Sequence, residues 1–247
     1  MPAKTILITG ASSGIGAALA RAYAGAGVTL LLWGRDEKRL DAVAVDCRAR
    51  GAVVAIQVFD LRDAAGFAGL LAEAPALDIA IFNAGLGGSA PADVLAETPE
   101  AARALAEVNF TAPVVGANVI AGAMAARGAG HIVLVGSITE SFPLPMAPTY
   151  AATKAGLKMF AEALGIRMAR HGVKVTLVSP GFIDTPMSRK VIEPKPFLIS
   201  AEAAAAIIVR KIEAGARTIV VPWQFAVIRG FANLLPRALL RAILSRV

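Results

Sequence analysis

Short apolar runs alternate with longer helix-like segments along most of this chain, and that alternation limits the possible folds more than any other feature. Apolar and polar residues do not alternate within the runs, which is typical of strands buried on both faces of a parallel sheet. We therefore predict an α/β fold: a doubly wound parallel sheet of about seven strands, with helices on both faces in three layers. The predicted strands are Thr5–Thr9, Val28–Trp33, Val53–Phe59, Ile79–Phe82, His131–Val135, Val173–Val178 and Thr218–Val221. The predicted helices are Ile15–Ala26, Glu37–Arg50, Ala64–Glu73, Pro99–Arg127, Thr149–Arg170 and Ala201–Ala214.

Composition narrows the class of protein further. The chain has 247 residues, of which 56% are hydrophobic and 17% charged, so we predict one well-packed domain and exclude disorder. The net charge is +7, but no basic run is interleaved with aromatic residues, so nucleic acid is not an expected partner. Cys47 is the only cysteine, and no His/Cys cluster suggests a metal site. Without a signal-peptide pattern at the N-terminus, we expect a cytoplasmic protein.

A glycine-rich loop joins the first predicted strand to the first predicted helix. Glycines let the backbone turn tightly and approach a pyrophosphate, while the helix N-terminus presents free N–H groups to it. The spacing Gly-x-x-x-Gly-x-Gly differs from the more usual Gly-x-Gly-x-x-Gly, but the loop opens a β-α-β unit, as a dinucleotide site requires. We assign to the cofactor site the loop residues Gly10, Ser12, Ser13, Gly14, Ile15 and Gly16.

The residues after the second predicted strand bear on the choice of cofactor. An acidic residue there binds the ribose 2′-hydroxyl of NAD(H), whereas an arginine accepts the 2′-phosphate of NADP(H). Gly34 stands where the acid is expected and Arg35 follows it, so we favour NADP(H). Asp36 keeps NAD(H) open as the alternative, although it is also suited to capping the next helix.

Two further segments follow predicted strands at the edge where ligands bind in such sheets. Asp60 and Leu61 come after the third strand and are expected near the adenine, although Asp60 is also a candidate helix cap. Asn83, Ala84 and Gly85 come after the fourth strand, where an ordinary turn is the alternative to a cofactor contact.

Tyr150 and Lys154 are four residues apart in a predicted helix, so their side chains share one face. Unit charges about 4 Å apart at an effective dielectric of about 20 interact by about 4 kcal/mol. An ammonium at that distance would lower the pKa of a phenol from about 10 toward about 7. Such a tyrosine suits general acid/base catalysis, although a lone Tyr-x-x-x-Lys is common in helices.

Taken in chain order, these motifs resemble those of the short-chain dehydrogenase/reductase family. They are Thr9-Gly10-x-x-x-Gly14-x-Gly16, Asn83-Ala84-Gly85, Ser137, Tyr150-x-x-x-Lys154 and Pro180-Gly181, and the likeness covers about residues 4–221. Each motif alone is common, but the ordered set is specific. The resemblance implies a Rossmann-type sheet, a nicotinamide cofactor, and hydride transfer to or from a carbonyl or alcohol. It also implies a homodimer or homotetramer.

The resemblance assigns roles to individual residues. Tyr150 would be the acid/base, Lys154 would lower the pKa of Tyr150 and bind the nicotinamide ribose, and Ser137 would hold the substrate oxygen. Asn109 would complete the set by supporting a water that relays protons. Further contacts with the cofactor are implied for Asn83, Ala84, Gly85, Pro180, Gly181, Ile183 and Thr185. Without the resemblance, Ser137 reads as a turn serine and Pro180-Gly181 as a turn before a cap.

The chain departs from the family pattern in two places. Phe82 stands where many relatives have another Asn, and Val221 is not followed by the Asp-Gly-Gly ending of many relatives, which weakens the assignment to the fatty-acid-synthesis ketoreductases. We assign residues 1–222 to a single Rossmann-type domain and residues 223–247 to an amphipathic helical extension of it, predicted as two short helices divided by Pro236. The extension either packs on protein or makes a peripheral contact with an anionic membrane.

The expected substrate is an apolar carbonyl compound or alcohol. Its pocket is predicted between residues 86–91, 138–149 and 187–200, which carry apolar side chains and few charges. The alternative substrate is a carrier-linked 3-oxoacyl group. A nucleotide-binding sensor or scaffold without turnover is the alternative outside enzymes.

Overall fold

The computed structural model describes residues 4–88, 96–191 and 194–234. A seven-stranded parallel sheet runs through the described part of the chain in the order β3-β2-β1-β4-β5-β6-β9. The strands are β1 Lys4–Thr9, β2 Val28–Gly34, β3 Val53–Val58, β4 Ile79–Phe82, β5 Gly130–Val135, β6 Val173–Pro180 and β9 Thr218–Val221, with β7 Ile183–Asp184 and β8 Ile199–Ser200 pairing separately. The helices are α1 Gly14–Tyr23, α2 Glu37–Ala49, α3 Ala64–Ala72, α4 Pro99–Ala106, α5 Ala112–Arg127, α6 Pro148–Ala169, α7 Ala201–Glu213 and α8 Gln224–Leu234.

The predicted three-layer architecture is confirmed by the two apolar cores that flank the sheet. One core joins the sheet to α1, α2 and α7 through residues such as Leu19, Leu40 and Ile208. The other joins it to the helices on the opposite face through residues such as Phe67 and Met124. Both faces of the central strands are therefore covered, which is why most of their residues are apolar rather than alternating with polar ones.

The order of the strands decides where a ligand can bind. β1 pairs in parallel with β2 on one side and with β4 on the other, so the chain changes direction across the sheet at this point. In doubly wound sheets such a switch opens a crevice beyond the carboxyl ends of the strands. The segments that follow β1, β2, β4, β5 and β6 all begin at this edge.

The predicted helix Pro99–Arg127 is interrupted by a π-helical turn at Glu107–Thr111, between α4 and α5. Pro113 has no N–H to donate to the carbonyl of Asn109, so a regular α-helix cannot continue through this segment. π-turns are frequent at functional sites, and this one carries Asn109. The run of 29 residues is long and apolar enough to cross a membrane, but half of its most apolar window is buried inside the fold.

The remaining differences from the predicted elements are small. The short strands β7 and β8 were not predicted, because two-residue strands carry no periodicity. Of the two tail helices, the first is present as α8, and the second lies outside the described residues.

Candidate active site

The loop between β1 and α1 is built around glycines that make room for backbone. Gly10 has a positive φ of 67°, and a Cβ there would lie 2.7 Å from the Cα of Ala84. A Cβ on Gly16 would meet the carbonyl oxygen of Gly10 and come within 2.5 Å of the amide nitrogen of Asn83. Ser13 is the N-cap residue of α1, yet its side chain makes no capping hydrogen bond. The helix N-terminus is therefore available to an anion such as a pyrophosphate.

The other predicted loop residues lie on both sides of this turn. Ser12, Ser13 and Gly14 line a cavity of about 350 Å³, together with Arg39 and Asp184. Ile15 is half-buried and packs on the core beneath α1. The loop thus offers backbone and hydroxyl groups to a ligand while its one large apolar side chain anchors it.

Thr9 and Asn83 join the glycine loop to the end of β4. The Thr9 hydroxyl oxygen accepts from the backbone N–H groups of Asn83 at 3.0 Å and Ala84 at 3.1 Å. The Asn83 amide donates to the carbonyls of Thr9 at 3.1 Å and Gly10 at 3.3 Å. The side-chain amide of Asn83 therefore donates its hydrogen bonds to the glycine loop and holds it in place. Thr9 belongs to the glycine motif of the sequence, but no role was assigned to its side chain, because its partners at Asn83 and Ala84 are distant in the chain.

Asp36, the alternative ribose ligand after β2, caps a helix in the structure. Asp36 accepts from the backbone N–H of Arg39 at 3.0 Å, which caps α2, and its second oxygen pairs with the Arg39 guanidinium at 3.2 Å. Arg35 is exposed beside it, and Ser12 Oγ lies 3.4 Å from the position of a Cβ on Gly34. The cap explanation of Asp36 is confirmed, and Arg35 is exposed next to it.

Asp60 follows β3 and is held by its neighbour. It pairs with the Arg62 guanidinium at 2.6 Å, and this hydrogen bond lowers the pKa of Asp60. The alternative that Asp60 caps the next helix is wrong, because Asp63 caps α3 by accepting from Gly66 at 2.9 Å. Leu61 is half-buried against the core formed by α3.

Tyr150, Lys154 and Ser137 meet at the carboxyl edge of β5. Lys154 is 4% exposed, donates to the carbonyl of Val135 at 2.9 Å, and lies 5.8 Å from the centroid of the Tyr150 ring. Burial lowers the pKa of Lys154 to about 8. Ser137 follows β5, and hydrogen bonding from its hydroxyl acts to lower the pKa of the half-buried Tyr150.

The net pKa of Tyr150 is nevertheless raised from its ordinary value, chiefly by burial and further by the charge of Glu140. The prediction that Lys154 pulls this pKa toward neutrality is therefore wrong for the protein alone. Its physical reason is that the Lys154 ammonium is turned toward the Val135 carbonyl and is itself desolvated. Tyr150 consequently holds its proton at neutral pH.

Asn109 is fully buried in the π-turn and is hydrogen-bonded to the backbone of the loop after β4. Its side-chain oxygen accepts from the Leu86 N–H at 2.7 Å, and its amide donates to the Leu86 carbonyl at 2.9 Å. A Cβ on Gly85 would lie 3.3 Å from the Asn109 oxygen and 3.8 Å from the Lys154 nitrogen. The structure therefore brings Asn109, Gly85 and Lys154 together.

The segment after β6 closes the site from the side of the glycine loop. Pro180 ends the strand, and Gly181 donates to the Val221 carbonyl at 2.8 Å. Ile183 is buried in β7, and Thr185 exchanges hydrogen bonds with Ser188. A Cβ on Gly14 would lie 3.1 Å from Thr185 Cγ2, so Thr185 faces the glycine loop across the crevice.

A small apolar cluster begins at Ile138, the residue after Ser137. Ile138, Val220 and Phe225 form a small buried cluster, with Phe142 and Phe182 packed against it. Phe225 belongs to α8, so the C-terminal helix is part of the site's surroundings. Sequence reasoning assigned no role to Phe225 or to the buried Glu140. Glu140 forms a capping box with Ser137, a Ser-x-x-Glu signal that the sequence carries, whereas Phe225 is revealed only by its long-range contacts.

Comparison with known proteins identifies the family to which the chain is similar. The sequence model of the family described as short chain dehydrogenase matches residues 4–196. An uncharacterized oxidoreductase of Myxococcus xanthus is 33% identical over 251 residues, covering 100% of this chain and 98% of that protein. A putative ketoacyl reductase of the granaticin polyketide synthase of Streptomyces violaceoruber is 35% identical over 194 residues, covering 76% of this chain and 70% of that protein. A short-chain dehydrogenase from Sphingobium yanoikuyae, solved in complex with NADPH, superposes with a TM-score of 0.83 at 28% identity and covers 93% of both chains.

Proposed function

The chain belongs to the short-chain dehydrogenase family as an NAD(P)-dependent oxidoreductase, and we propose that it uses NADP(H) to interconvert an apolar carbonyl compound and its alcohol, with Tyr150 as general acid/base. The observation that carries this proposal is the convergence of Ser137, Tyr150, Lys154 and Asn109 beside a glycine loop that leads into a helix N-terminus without a side-chain cap.

The four side chains divide the work of proton transfer. Tyr150, protonated at neutral pH, donates its proton to the carbonyl oxygen, and Ser137 holds that oxygen by hydrogen bonding. Lys154 carries the compensating positive charge beside the phenol, and its pKa of about 8 lets that charge be lost in mildly alkaline solution. Asn109 keeps the loop after β4 against Lys154.

The residues at the crevice beyond the carboxyl ends of the strands fit a dinucleotide. The backbone of the loop Gly10–Gly16 and the uncapped start of α1 would hold the pyrophosphate, and the segment Pro180–Thr185 would face the nicotinamide. When bound, the nicotinamide supplies the hydride. Exposed Arg35 supports NADP(H) over NAD(H), because Asp36 is committed to capping α2.

An apolar substrate is supported by the side chains around the site. Phe142, Phe182 and Phe225 border it, and a Cβ on Gly87 would lie 2.9 Å from Met187, so the loops after β4 and β7 meet. The alternative is a carrier-linked 3-oxoacyl substrate, which the likeness to the granaticin ketoacyl reductase supports. A sensor or scaffold without turnover is disfavoured, because it has no need for the Ser137, Tyr150 and Lys154 set.

We also propose how the protein assembles and where it lies in the cell. Met159 and Ile166 are 67% and 78% exposed on α6, which supports a homodimer or homotetramer through this helix. On α8, Phe225 packs inward while Trp223 and Phe231 are exposed, so both protein packing and a peripheral membrane contact remain open for residues 223–247. We place the protein in the cytoplasm. The division into residues 1–222 and 223–247 stays a prediction.

The test is a panel of carbonyl compounds, in which the loss of NADPH or NADH absorbance follows turnover. Acetophenone, cyclohexanone and an acetoacetyl thioester are each assayed with NADPH and with NADH. Faster oxidation of NADPH with a simple ketone supports the proposal. Turnover confined to the thioester favours the ketoreductase alternative, and NADPH binding without turnover on any compound favours the sensor.

A further inference from the structure

A fully buried carboxylate lies beside the catalytic side chains. Glu140 follows Ser137 by three residues, and its side chain has no solvent exposure. An ionised carboxylate is costly to bury unless hydrogen bonds and a counter-charge surround it. The proposed acid/base chemistry does not itself use Glu140, so its burial calls for another explanation.

Three partners meet this carboxylate, and each comes from a different part of the fold. The backbone N–H of Ser137 donates to Oε2 at 3.2 Å, and the Ser179 hydroxyl of β6 donates to Oε1 at 2.6 Å. The Arg229 guanidinium of α8 lies 3.5 Å from Oε1, with 21% of its side chain exposed. Glu140 therefore connects the catalytic serine, the strand that leads into the nicotinamide segment, and the C-terminal helix.

The backbone before Ser137 is adapted to this carboxylate. A Cβ on Gly136 would lie 2.5 Å from Oε2 of Glu140, so any larger residue there would displace the carboxylate. The hydroxyl oxygen of Ser137 accepts a hydrogen bond from the backbone N–H of Thr139 at 3.2 Å. With its acceptor side engaged in this way, the Ser137 hydroxyl keeps its own proton to donate.

We propose that Glu140 is a positioning residue for Ser137, and that its pairing with Arg229 makes the docking of α8 part of the catalytic geometry. This inference rests on the proposed function, because it assigns Glu140 a role through Ser137. It concerns the acidic side chain and the C-terminal helix, neither of which belongs to the catalytic set.

The carboxylate also contributes to the electrostatics of the site. Its charge raises the pKa of Tyr150 and opposes the lowering of the pKa of Lys154 by burial. Burial raises the pKa of Glu140 itself, while Ser179, Ser137, Arg229 and Lys158 lower it. The charged and titratable groups that face Glu140 are thus Tyr150, Lys154 and Lys158 from α6 and Arg229 from α8.

The first experiment measures the ionisation of Tyr150 directly and needs no substrate. The chain has two tyrosines, so in a Tyr23→Phe background the ultraviolet absorbance of phenolate reports Tyr150 alone. We expect Glu140→Gln to lower the midpoint by about half a pH unit or more, because a nearby negative charge is removed. Glu162→Gln, an exposed change on α6, is the matched control, and circular dichroism verifies folding at each pH.

The second experiment uses turnover of the panel ketone that is reduced fastest. We expect Glu140→Gln and Arg229→Met each to lower kcat about tenfold while KM for NADPH changes by less than about twofold. Arg229→Lys restores most of the kcat because it retains the positive charge. Arg210→Met, exposed on α7, serves as the control.

The outcomes separate this inference from the proposed function. A Glu140→Gln variant with the kcat and phenolate midpoint of Glu162→Gln overturns the positioning role. Loss of kcat in Glu140→Gln with none in Arg229→Met overturns the link to α8. If Ser137→Ala and Tyr150→Phe retain full turnover, the proposed function fails, while the phenolate midpoint still reports whether Glu140 acts on Tyr150.

Discussion

The two halves of the site are constructed in different ways. On the nucleotide side, the loop Gly10–Gly16 approaches Ala84 and Asn83 so closely that side chains are excluded, and the backbone forms the cradle. On the catalytic side, Ser137, Lys154 and Glu140 are held by buried hydrogen bonds between different elements. The nucleotide side depends on the absence of side chains at glycines in one short segment. The catalytic side depends on polar groups that are distant in the chain and meet in the fold.

This difference predicts how each half responds to substitution. A larger residue in the glycine loop acts through steric overlap, so it alters stability and cofactor affinity together. A change in the catalytic half removes one functional group from a folded frame, so it alters turnover while cofactor binding persists. The following four substitutions test that separation, from the largest expected effect to the smallest.

Tyr150→Phe should lower kcat about a thousandfold, because it removes the proton donor, within the usual range for acid/base catalysis. NADPH affinity, followed by fluorescence titration, should stay within about threefold of that of the unmodified protein.

Tyr23→Phe is the matched control, because the Tyr23 hydroxyl is buried in α1 without a hydrogen-bond partner. Its removal should leave kcat unchanged and the free energy of unfolding equal or slightly higher. Full turnover by Tyr150→Phe would remove the acid/base role from this residue.

Gly16→Ala should lower the free energy of unfolding by about 2–3 kcal/mol, because the new methyl group meets the Gly10 carbonyl and the Asn83 amide. NADPH affinity should fall in parallel, measured by the same titration.

Gly122→Ala on α5 provides the opposite control, since nothing lies within 4 Å of a Cβ there. It should stabilise the protein by about 0.5–1 kcal/mol, because alanine is the better helix former. Equal effects of the two substitutions would contradict the steric explanation.

Arg35→Ala should weaken NADPH binding about tenfold and leave NADH binding nearly unchanged, because only NADPH carries the 2′-phosphate. Arg210→Ala tests for a general effect of charge on binding. Equal weakening for both cofactors would argue against a 2′-phosphate contact of Arg35.

Asp36→Ala should lower the free energy of unfolding by about 1 kcal/mol through loss of the α2 cap, with the ratio of NADPH to NADH affinity unchanged. Asp41→Ala, exposed in the same helix, should be close to neutral. A selective loss of NADH binding in Asp36→Ala would instead identify Asp36 as a ribose ligand.

Much of the fold was predictable because the signals are local. All seven strands of the main sheet coincide with continuous apolar runs, and the ends of the predicted helices agree with the structure to within a few residues. Asn109 and Pro113 mark the π-turn, yet their effect on a long helix could be foreseen only as a kink or a functional position. The strands β7 and β8 were too short to detect.

The site was predictable in its membership more than in its electrostatics. Spacing placed Tyr150 and Lys154 on one face, but it carried no information on where the Lys154 nitrogen points or how much water each group loses. The expected lowering of the Tyr150 pKa was therefore reversed by burial and by Glu140. Asn83 likewise has its donors directed to Thr9 and Gly10, which lie 74 and 73 positions away in the chain.

The sequence by itself determined the α/β class, the glycine loop and the set of groups capable of acid/base chemistry, because each follows from local periodicity or spacing. Tertiary structure alone decided the protonation of Tyr150 and the contact of Glu140 with Ser179 and Arg229. The physical reason is that burial and charge proximity belong to the packed state. Residues 39 and 89 positions apart, as Ser179 and Arg229 are from Glu140, meet only when the sheet and α8 assemble.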